Sequence, residues 1–471
     1  MRLAILIMAA GKGTRLKSRR PKVLHEIGGQ PLLRHVIAAA AQVVSPGDIF
    51  AIVGHEAEAV KAAVQDTGIQ FVLQAEQRGT GHAVQCAEAA TRDYDQILVL
   101  SGDVPLLRPE TILALRDFHL GENAAMTILT AEPPNPFGYG RVLRVAPHAP
   151  EVAAIVEQKA LTPAQQSEPE INSGIYAFRR DSLYAHIRRL STDNAHRELY
   201  LTDMARLLVE SGERVVATPA AHTTEVLGAN TIAEMMDLDR ELRLQNARRL
   251  MAADVTIFRP ETVTIDAGVE VGPDSVIEPF VQLLGQTRLG SECRIRSYSV
   301  LENATLGNGV LVRQSCVIAE SEVAAGALIG PFAHLRPGSH IGEGAHVGNF
   351  VETKKVNLGA GSKANHLTYL GDARIGKGVN IGAGTITCNY NGVDKNETLI
   401  ADGVFVGSDS TLVAPVSIGE GAYVAAGSCI TENVPADALA LGRSRQVNKA
   451  NWAKTRRAQQ ARKSDSNRST K

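Results

Sequence analysis

The chain has 471 residues, with 49 Lys and Arg against 50 Asp and Glu, so it is too long for a single small fold and its length favours at least two domains. Hydrophobic residues at 44% and charged residues at 21% argue against disorder, and a net charge of -1 gives no electrostatic case for nucleic acid or membrane as partner. The opening apolar run Ala4 to Ala10 falls far short of the ~20 residues that span a bilayer, and a soluble cytoplasmic protein is expected. Five scattered cysteines (Cys86, Cys293, Cys316, Cys388, Cys429) form no Cys-x-x-Cys pair, which speaks against a disulfide framework or a zinc site and for small buried residues.

Up to about Gly228, short apolar runs alternate with amphipathic stretches: Leu3–Met8, Leu32–Val44, Ile49–Val53, Ala57–Val64 and Ile97–Leu100. Such alternation predicts an α/β domain, 1–229, with a largely parallel sheet. Leu3–Ala10 runs into Gly11-Lys12-Gly13-Thr14-Arg15, a strand followed by a glycine-rich turn whose backbone N–H groups can hold phosphates. The turn lacks Gly-Lys-Ser/Thr at Walker spacing and the three glycines of the dinucleotide fingerprint. Ser101-Gly102-Asp103 follows the strand Ile97–Leu100, placing a carboxylate at a strand's C-terminal end, where open α/β sheets bind ligands; one Asp suffices to anchor Mg²⁺ that also binds substrate phosphates. The plainer reading of each is a strand–turn–helix with two surface cations, and a strand-end cap.

Residues 230–251, with Ile232, Met235, Met236, Leu238, Leu242 and Leu250, predict an amphipathic linker helix. Beyond it an aliphatic residue recurs every sixth position: Ile265, Val271, Ile277, Leu283, Leu289, Ile295 and Leu301, then with slips Leu306, Val312 and Ile318, then Val323 to Val347, and finally Ile400, Val406, Leu412, Ile418, Val424 and Ile430. Gly follows many of these directly, among them Gly272, Gly290, Gly307, Gly342, Gly376 and Gly407. That period fits neither helix nor hairpin sheet; it predicts a β-solenoid over 252–442, with an inward aliphatic residue per strand and a φ-permissive glycine near each corner. Asn389–Thr398 breaks the period and is read as a loop thrown out of the solenoid. The basic tail, 443–471, carries ten Lys and Arg against Asp465 alone, and its end is expected to be disordered.

Ala9-Ala10-Gly11-x-Gly13-Thr14-Arg15 with Pro21-Lys22 resembles the nucleotide-sugar pyrophosphorylases. With Gln74 to Gly81, Gly138 to Arg141, Asn172-Ser-Gly174, Leu335-Arg336-Pro-Gly, Asn349 to Lys355, His366 to Asp372 and Asn389-Tyr390, the first 445 or so residues resemble the bacterial bifunctional uridyltransferase–acetyltransferases of UDP-N-acetylglucosamine synthesis. That resemblance implies a Rossmann-like nucleotidyltransferase domain and a left-handed parallel β-helix, the hand being taken from the resemblance alone. It implies N-acetylation of glucosamine 1-phosphate by acetyl-CoA, then UMP transfer from UTP, in a homotrimer sharing its acetyl sites.

By the same resemblance, Met8, Ala9, Ala10, Gly11, Gln74, Gly79 and Thr80 hold uracil and ribose, Lys22 and Arg15 meet the phosphates, and Asp103 and Asn230 hold Mg²⁺. Ser101 and Gly102 precede that Asp, with Ser101 standing where the family often has Tyr. Gly140, Glu157 and Asn172 hold the acetylated sugar. In the solenoid, His366 is the general base, a role suited to imidazole near neutral pH, with Glu352 orienting it. Arg336, Lys354, Tyr369 and Asn380 bind glucosamine 1-phosphate, with Asn389 and Tyr390 near the sugar and acyl group. Ala383, Ser408, Ala426 and Arg443 meet coenzyme A. His334, His340 and His346 are read as structural residues at solenoid corners. Two rival readings are a pyrophosphorylase whose solenoid serves only assembly, and a non-enzymatic scaffold.

Overall fold

The computed structural model describes residues 1–11, 13, 16–146, 149–194 and 196–468, with side chains up to 462. Arg15, Pro147 and His148 lie outside the described residues. Two compact units emerge: Met1–Ala252 together with Val263–Val269 and Leu283–Gln286, and the rest of the chain from Ala253.

The first unit is built on a nine-stranded mixed sheet. Its strands are β1 (Leu3–Ala9), β2 (Ile49–Val53), β3 (Gln70–Leu73), β4 (Gln96–Ser101), β5 (Met126–Ala131), β6 (Arg141–Arg144), β7 (Val152–Val156), β8 (Ile171–Arg179) and β9 (Val215–Pro219). The main order is β9-β5-β8-β4-β1-β2-β3, with β8 antiparallel to β4 and β5, and the β6–β7 hairpin hanging from β8. Alternate residues of β1 feed opposite faces: Ala4 and Leu6 enter one core, Ile5, Ile7 and Ala9 the other, which is why the strand reads as an unbroken apolar run. The chain leaves β1 for β2 on one side and returns to β4 on the other, so the switch point lies between the C-terminal ends of β1 and β4.

Around the sheet lie α1 (Leu32–Ala40), α2 (Ala57–Val64), α3 (Thr80–Cys86), α4 (Pro109–Gly121), α5 (Arg180–His186) and α6 (Asp203–Glu210). Helix α7, Ile232–Met251, is opened by a capping box in which Thr231 accepts from Glu234 N while the Glu234 carboxylate accepts from Thr231 N. It is more than a linker: Met235, Leu238 and Leu242 pack on Ile27, Leu32 and Leu106. Arg243 pairs with both Asp239 and the buried Asp266, at 2.9 and 2.6 Å. Ile232 and Met236, expected on its apolar face, are exposed.

His119 on α4 is buried in this unit. Its Nδ1 accepts from the Thr127 hydroxyl at 2.7 Å and its Nε2–H donates to Gln96 Oε1 at 3.1 Å. Burial, aided by the nearby Arg179 charge, pushes its pKa down to about 4. The unfolded ring takes a proton near pH 6.5, so its contribution to stability is complete above that pH and is lost as pH falls toward 4, reaching on the order of 3 kcal/mol. Thermal unfolding of the first unit is therefore expected to soften between pH 7 and 4.5, and less so in His119→Gln. Parallel pH profiles for the two proteins would refute this account.

The second unit is a parallel β-solenoid. One face is an eleven-stranded parallel sheet from Thr256–Ile257 to Leu439–Ala440, and the other faces carry equally short strands, as where Val300–Glu302 pairs with Val317–Ala319. The sixth-position aliphatics are the inward residues of these strands and all are buried except the half-buried Val271. The glycines that follow them act differently from expectation. Most of them, including Gly272 and Gly342, lack positive φ; a Cβ at Gly272 or Gly342 would lie 2.6 Å from backbone nitrogen of the next coil. Those glycines admit close coil stacking, while the left-handed corners include such residues as Phe332, Phe350 and Leu367.

Between Val347 and Ile400 three inward slots hold Thr353, Ala364 and Thr387 among aliphatics such as Leu370 and Ile381, all buried, and the excursion expected over Asn389–Thr398 covers Asn389–Glu397, Thr398 instead opening the strand Thr398–Ile400. His334, His340 and His346 sit on strands, not corners. Only Cys293 and Cys316 are buried, Cys429 being exposed. In the tail, Trp452–Arg468 is helical, favoured by its Ala, Gln, Lys and Arg content, while its end, 469–471, expected to be disordered, lies outside the described residues. Among the described residues no helix is long and apolar enough to cross a membrane.

Candidate functional site

The switch point opens into a cleft of about 660 Å³ lined by Met8, Ala10, Gly11, Gly13, Lys22, Gln74, Gly79, Thr80, Ser101 and Asp103, among others. Met8 and Ser101 are register partners on β1 and β4, which brings the two strand-end motifs together. Gly13, at φ +59°, lies against Lys22, where a Cβ would come within 2.6 Å of the lysine Cβ. Lys22 Nζ pairs with Asp103 and donates to Asn230 Oδ1 at 3.0 Å. One positive charge thus sits between the two oxygens expected to hold a divalent cation. Asp103 is crowded from behind, since a Cβ on Gly228 would lie 2.9 Å from its Oδ2.

Two expected residues stand back from the cleft. Ala9 is turned into the core by the two-residue period of β1, and Gly102 is where backbones close up, its Cβ position being 2.7 Å from Met8 O. Gln74, Gly79 and Thr80 form one wall: Gln74 Nε2 donates to Gly79 O at 3.0 Å, and Leu201 N donates to Thr80 Oγ1 at 2.9 Å.

The residues expected at the sugar gather just before β6 (Gly140), just after β7 (Glu157) and on β8 (Asn172). Asn172 N donates to Gly140 O at 2.9 Å, Asn172 Nδ2 to Tyr176 Oη at 2.8 Å, and Thr202 Oγ1 to Glu157 Oε1 at 3.0 Å. Burial raises the Glu157 pKa, with Asp203 adding and the Thr202 bond opposing. Gly174 ties this cluster to the cleft, a Cβ there falling 3.2 Å from Ser101 Oγ.

In the solenoid, register puts Asn349 and His366 at the same height on adjacent coils, and their side chains meet, Nδ1 to Oδ1 at 2.8 Å. The amide oxygen can only accept, so Nδ1 carries the proton and Nε2 keeps its lone pair, the tautomer a base requires. Glu352, expected to orient this ring, instead accepts from Arg336 at 2.9 Å. The strand at Glu352 pairs in register with those of His334 and Tyr369, which directs its carboxylate along a different face. Asn349, not Glu352, is the residue bonded to the His366 ring.

Continuing from His366, the registers Ala364↔Ile381, Ile381↔Val406 and Val406↔Val424 stack His366, Ala383, Ser408 and Ala426 in one column. Arg443 reaches its far end, with Cδ 4.0 Å from the Cβ position of Gly427. Arg336 and Lys354 follow the inward residues Leu335 and Thr353, which are paired on adjacent coils, so they rise side by side. Tyr369 is register partner to Glu352, and a Cβ on Gly371 would collide with its hydroxyl. Asn380 lies one coil on from Lys363. Asn389 bonds Asp372, and Tyr390 donates to Gly392 O at 2.7 Å within the excursion. The excursion also delivers Lys395 to Lys354. That contact, with burial, lowers the Lys354 pKa, against the pull of Asp372. Two ammonium groups side by side make a place for an anion; nothing in the sequence around Lys395 marked it.

This fold and these two clusters define a nucleotidyltransferase joined to a hexapeptide-repeat acyltransferase. Residues 5–252 match the model of the MobA-like NTP transferase domain, and 398–432 that of the hexapeptide repeat of succinyl-transferase. The chain is 62% identical to the bifunctional protein GlmU of Koribacter versatilis, over 98% of this chain and 99% of that one. It is 49% identical to that of Solibacter usitatus, over 97% of each, and 44% identical to that of Geobacter sulfurreducens, over 97% and 99%. The chain belongs to the GlmU family. It is a bifunctional enzyme, a uridyltransferase and an acetyltransferase, with a nucleotide and an acyl-CoA among its substrates.

Proposed function

We propose that the strand end at His366 acetylates glucosamine 1-phosphate and that the amino-terminal cleft then transfers UMP from UTP to the product, releasing pyrophosphate. The stacking of His366 on the column Ala383, Ser408 and Ala426 carries this reading, because an acyl-bearing arm lying along small residues ends at a base. Arg336, Lys354 and Lys395 form the phosphate cradle, Tyr369 and Asn380 border the sugar, and Asn389 and Tyr390 border the acyl group. His366 Nε2 takes the proton as the sugar amine attacks the thioester carbonyl, and coenzyme A leaves as the thiol.

In the cleft, Gln74, Gly79 and Thr80 with Met8 to Gly11 hold the uridine, Gly140, Glu157 and Asn172 hold the acetylated sugar, and Lys22 faces the transferring phosphates. An oxygen of the sugar phosphate attacks the α-phosphorus as the pyrophosphate bond breaks, so no protein nucleophile is needed. The hard oxygen donors Asp103 and Asn230, already converging on one positive charge, fit Mg²⁺. That ion would supply charge neutralisation on the phosphates.

We further propose that the protein is cytoplasmic and that, as the resemblance implies, it is a homotrimer packed through the solenoid. The exposed, stacked pairs Phe280–Tyr298 and Phe332–Phe350 supply apolar surface for such a contact. Incubation with glucosamine 1-phosphate, acetyl-CoA, UTP and Mg²⁺ is expected to release both free thiol and pyrophosphate. We assign 1–229 to uridyl transfer, 230–251 to the connecting helix, 252–442 to acetyl transfer and 443–471 to a tail. A fragment ending at Met251 is expected to keep uridyl transfer from N-acetylglucosamine 1-phosphate and to lose thiol release. Its melting temperature should fall, since Arg243 loses Asp266. Thiol release by that fragment would refute the division.

A further inference from the structure

We infer that His82 is a positioning residue for base recognition, fixing the Gln74 amide so that its oxygen, not its nitrogen, faces the nucleotide. The inference rests on the reading that Gln74 meets the uracil. Gln74 is buried at 3% exposure in the wall of the cleft. One terminal atom of its amide lies 3.0 Å from Gly79 O and 3.2 Å from His82 Nδ1. A carbonyl oxygen only accepts, so the atom facing Gly79 is the amide nitrogen, and its second hydrogen goes to His82. Nδ1 is therefore the bare ring nitrogen and the proton is on Nε2, which lies 3.8 Å from Cys86 Sγ, a weak acceptor. His82 and Cys86 are four residues apart on α3, so one helix face presents the ring and backs it.

With both amide hydrogens committed, the side chain offers only Oε1 to a ligand, and among the described residues no donor reaches that oxygen. Uracil carries a hydrogen on N3 and pairs with such an acceptor. Cytosine carries a lone pair there and would need the amide turned over. Turning it would set the amide oxygen against the lone pair of Gly79 O and would require His82 to move its proton from Nε2 to Nδ1, giving up the Cys86 contact, so the histidine adds to that resistance. A site built around a fixed acceptor rejects a ligand lacking the matching donor strongly.

The test measures uridyl transfer with UTP and with CTP for the full-length wild type, His82→Asn, His82→Leu and Gln74→Leu, with the thermal melt of the first unit in each preparation as the check on folding. His82→Asn puts an amide oxygen near the place of Nδ1 and is expected to keep the KM for UTP within about twofold of wild type. His82→Leu is expected to raise that KM about tenfold with little change in kcat, and to lower the preference for UTP over CTP by about tenfold. Gln74→Leu should do the same or more. If Gln74→Leu is impaired while His82→Leu behaves as wild type, or if His82→Asn is as impaired as His82→Leu, the positioning role is overturned and the base contact stands. If Gln74→Leu keeps wild-type KM and selectivity, the base contact itself fails and the inference falls with it.

Discussion

Replacing His366 with Ala is expected to cut acetyl transfer at pH 7 by about 10²- to 10⁴-fold while uridyl transfer stays at the wild-type rate. The ring is free to act: its Nδ1–H is committed to Asn349, and its other nitrogen retains a lone pair. Part of the lost activity should return as pH rises, because more of the substrate amine is then already deprotonated and needs no base. Asn349→Ala is expected to lower kcat by a smaller factor, since it frees the tautomer without removing the base. Arg336→Ala or Lys354→Ala should act mainly on the KM for glucosamine 1-phosphate, because each removes phosphate-binding charge and leaves proton transfer alone. Normal turnover in His366→Ala, with only a raised KM for acetyl-CoA, would refute the role.

Asp103→Ala is expected to reduce uridyl transfer by about 10²-fold or more while thiol release is unchanged. The carboxylate supplies one of the two oxygens meeting Lys22, and its loss leaves that ammonium, among the described residues, the neutral Asn230 amide. Asp103→Asn, which keeps the shape and removes the charge, should be nearly as inactive, and raising Mg²⁺ should recover part of its activity. Equal loss of thiol release and pyrophosphate would instead point to misfolding.

The solenoid was legible wherever aliphatic inward residues keep the six-residue step, and it was harder to follow between Val347 and Ile400, where Thr353, Ala364 and Thr387 fill some slots and five-residue steps shift Leu358 and Ile375 out of phase. Those coils hold His366 and its neighbours, so the repeat fades where the chemistry is proposed. The strand-end positions of Gly11 and Asp103 could be read from apolar runs meeting glycine, whereas the antiparallel β8 could not, because one strand's direction leaves no mark on its own composition. Glu352 and Asn349 show where local reading stops. Which of the two meets His366 is decided by coil register 17 residues away, and register is a property of the stack. Lys395 was hidden for a similar reason, since a loop residue acquires its neighbour only when the excursion folds back.

The column from His366 through Ala383 and Ser408 to Ala426 acts as a measuring rod. Each coil advances the wall by about 4.8 Å, so the three steps along it span roughly 14 Å. With an acyl carrier laid on that wall, reach is set by a whole number of coils and not by the shape of a pocket. Adding one complete coil between Ala383 and Ser408 would leave every strand paired and every inward slot filled, yet would hold the reactive carbonyl about 4.8 Å away from the imidazole. A repeat architecture can therefore gain or lose a coil with little cost to folding, while the chemistry tolerates only one count.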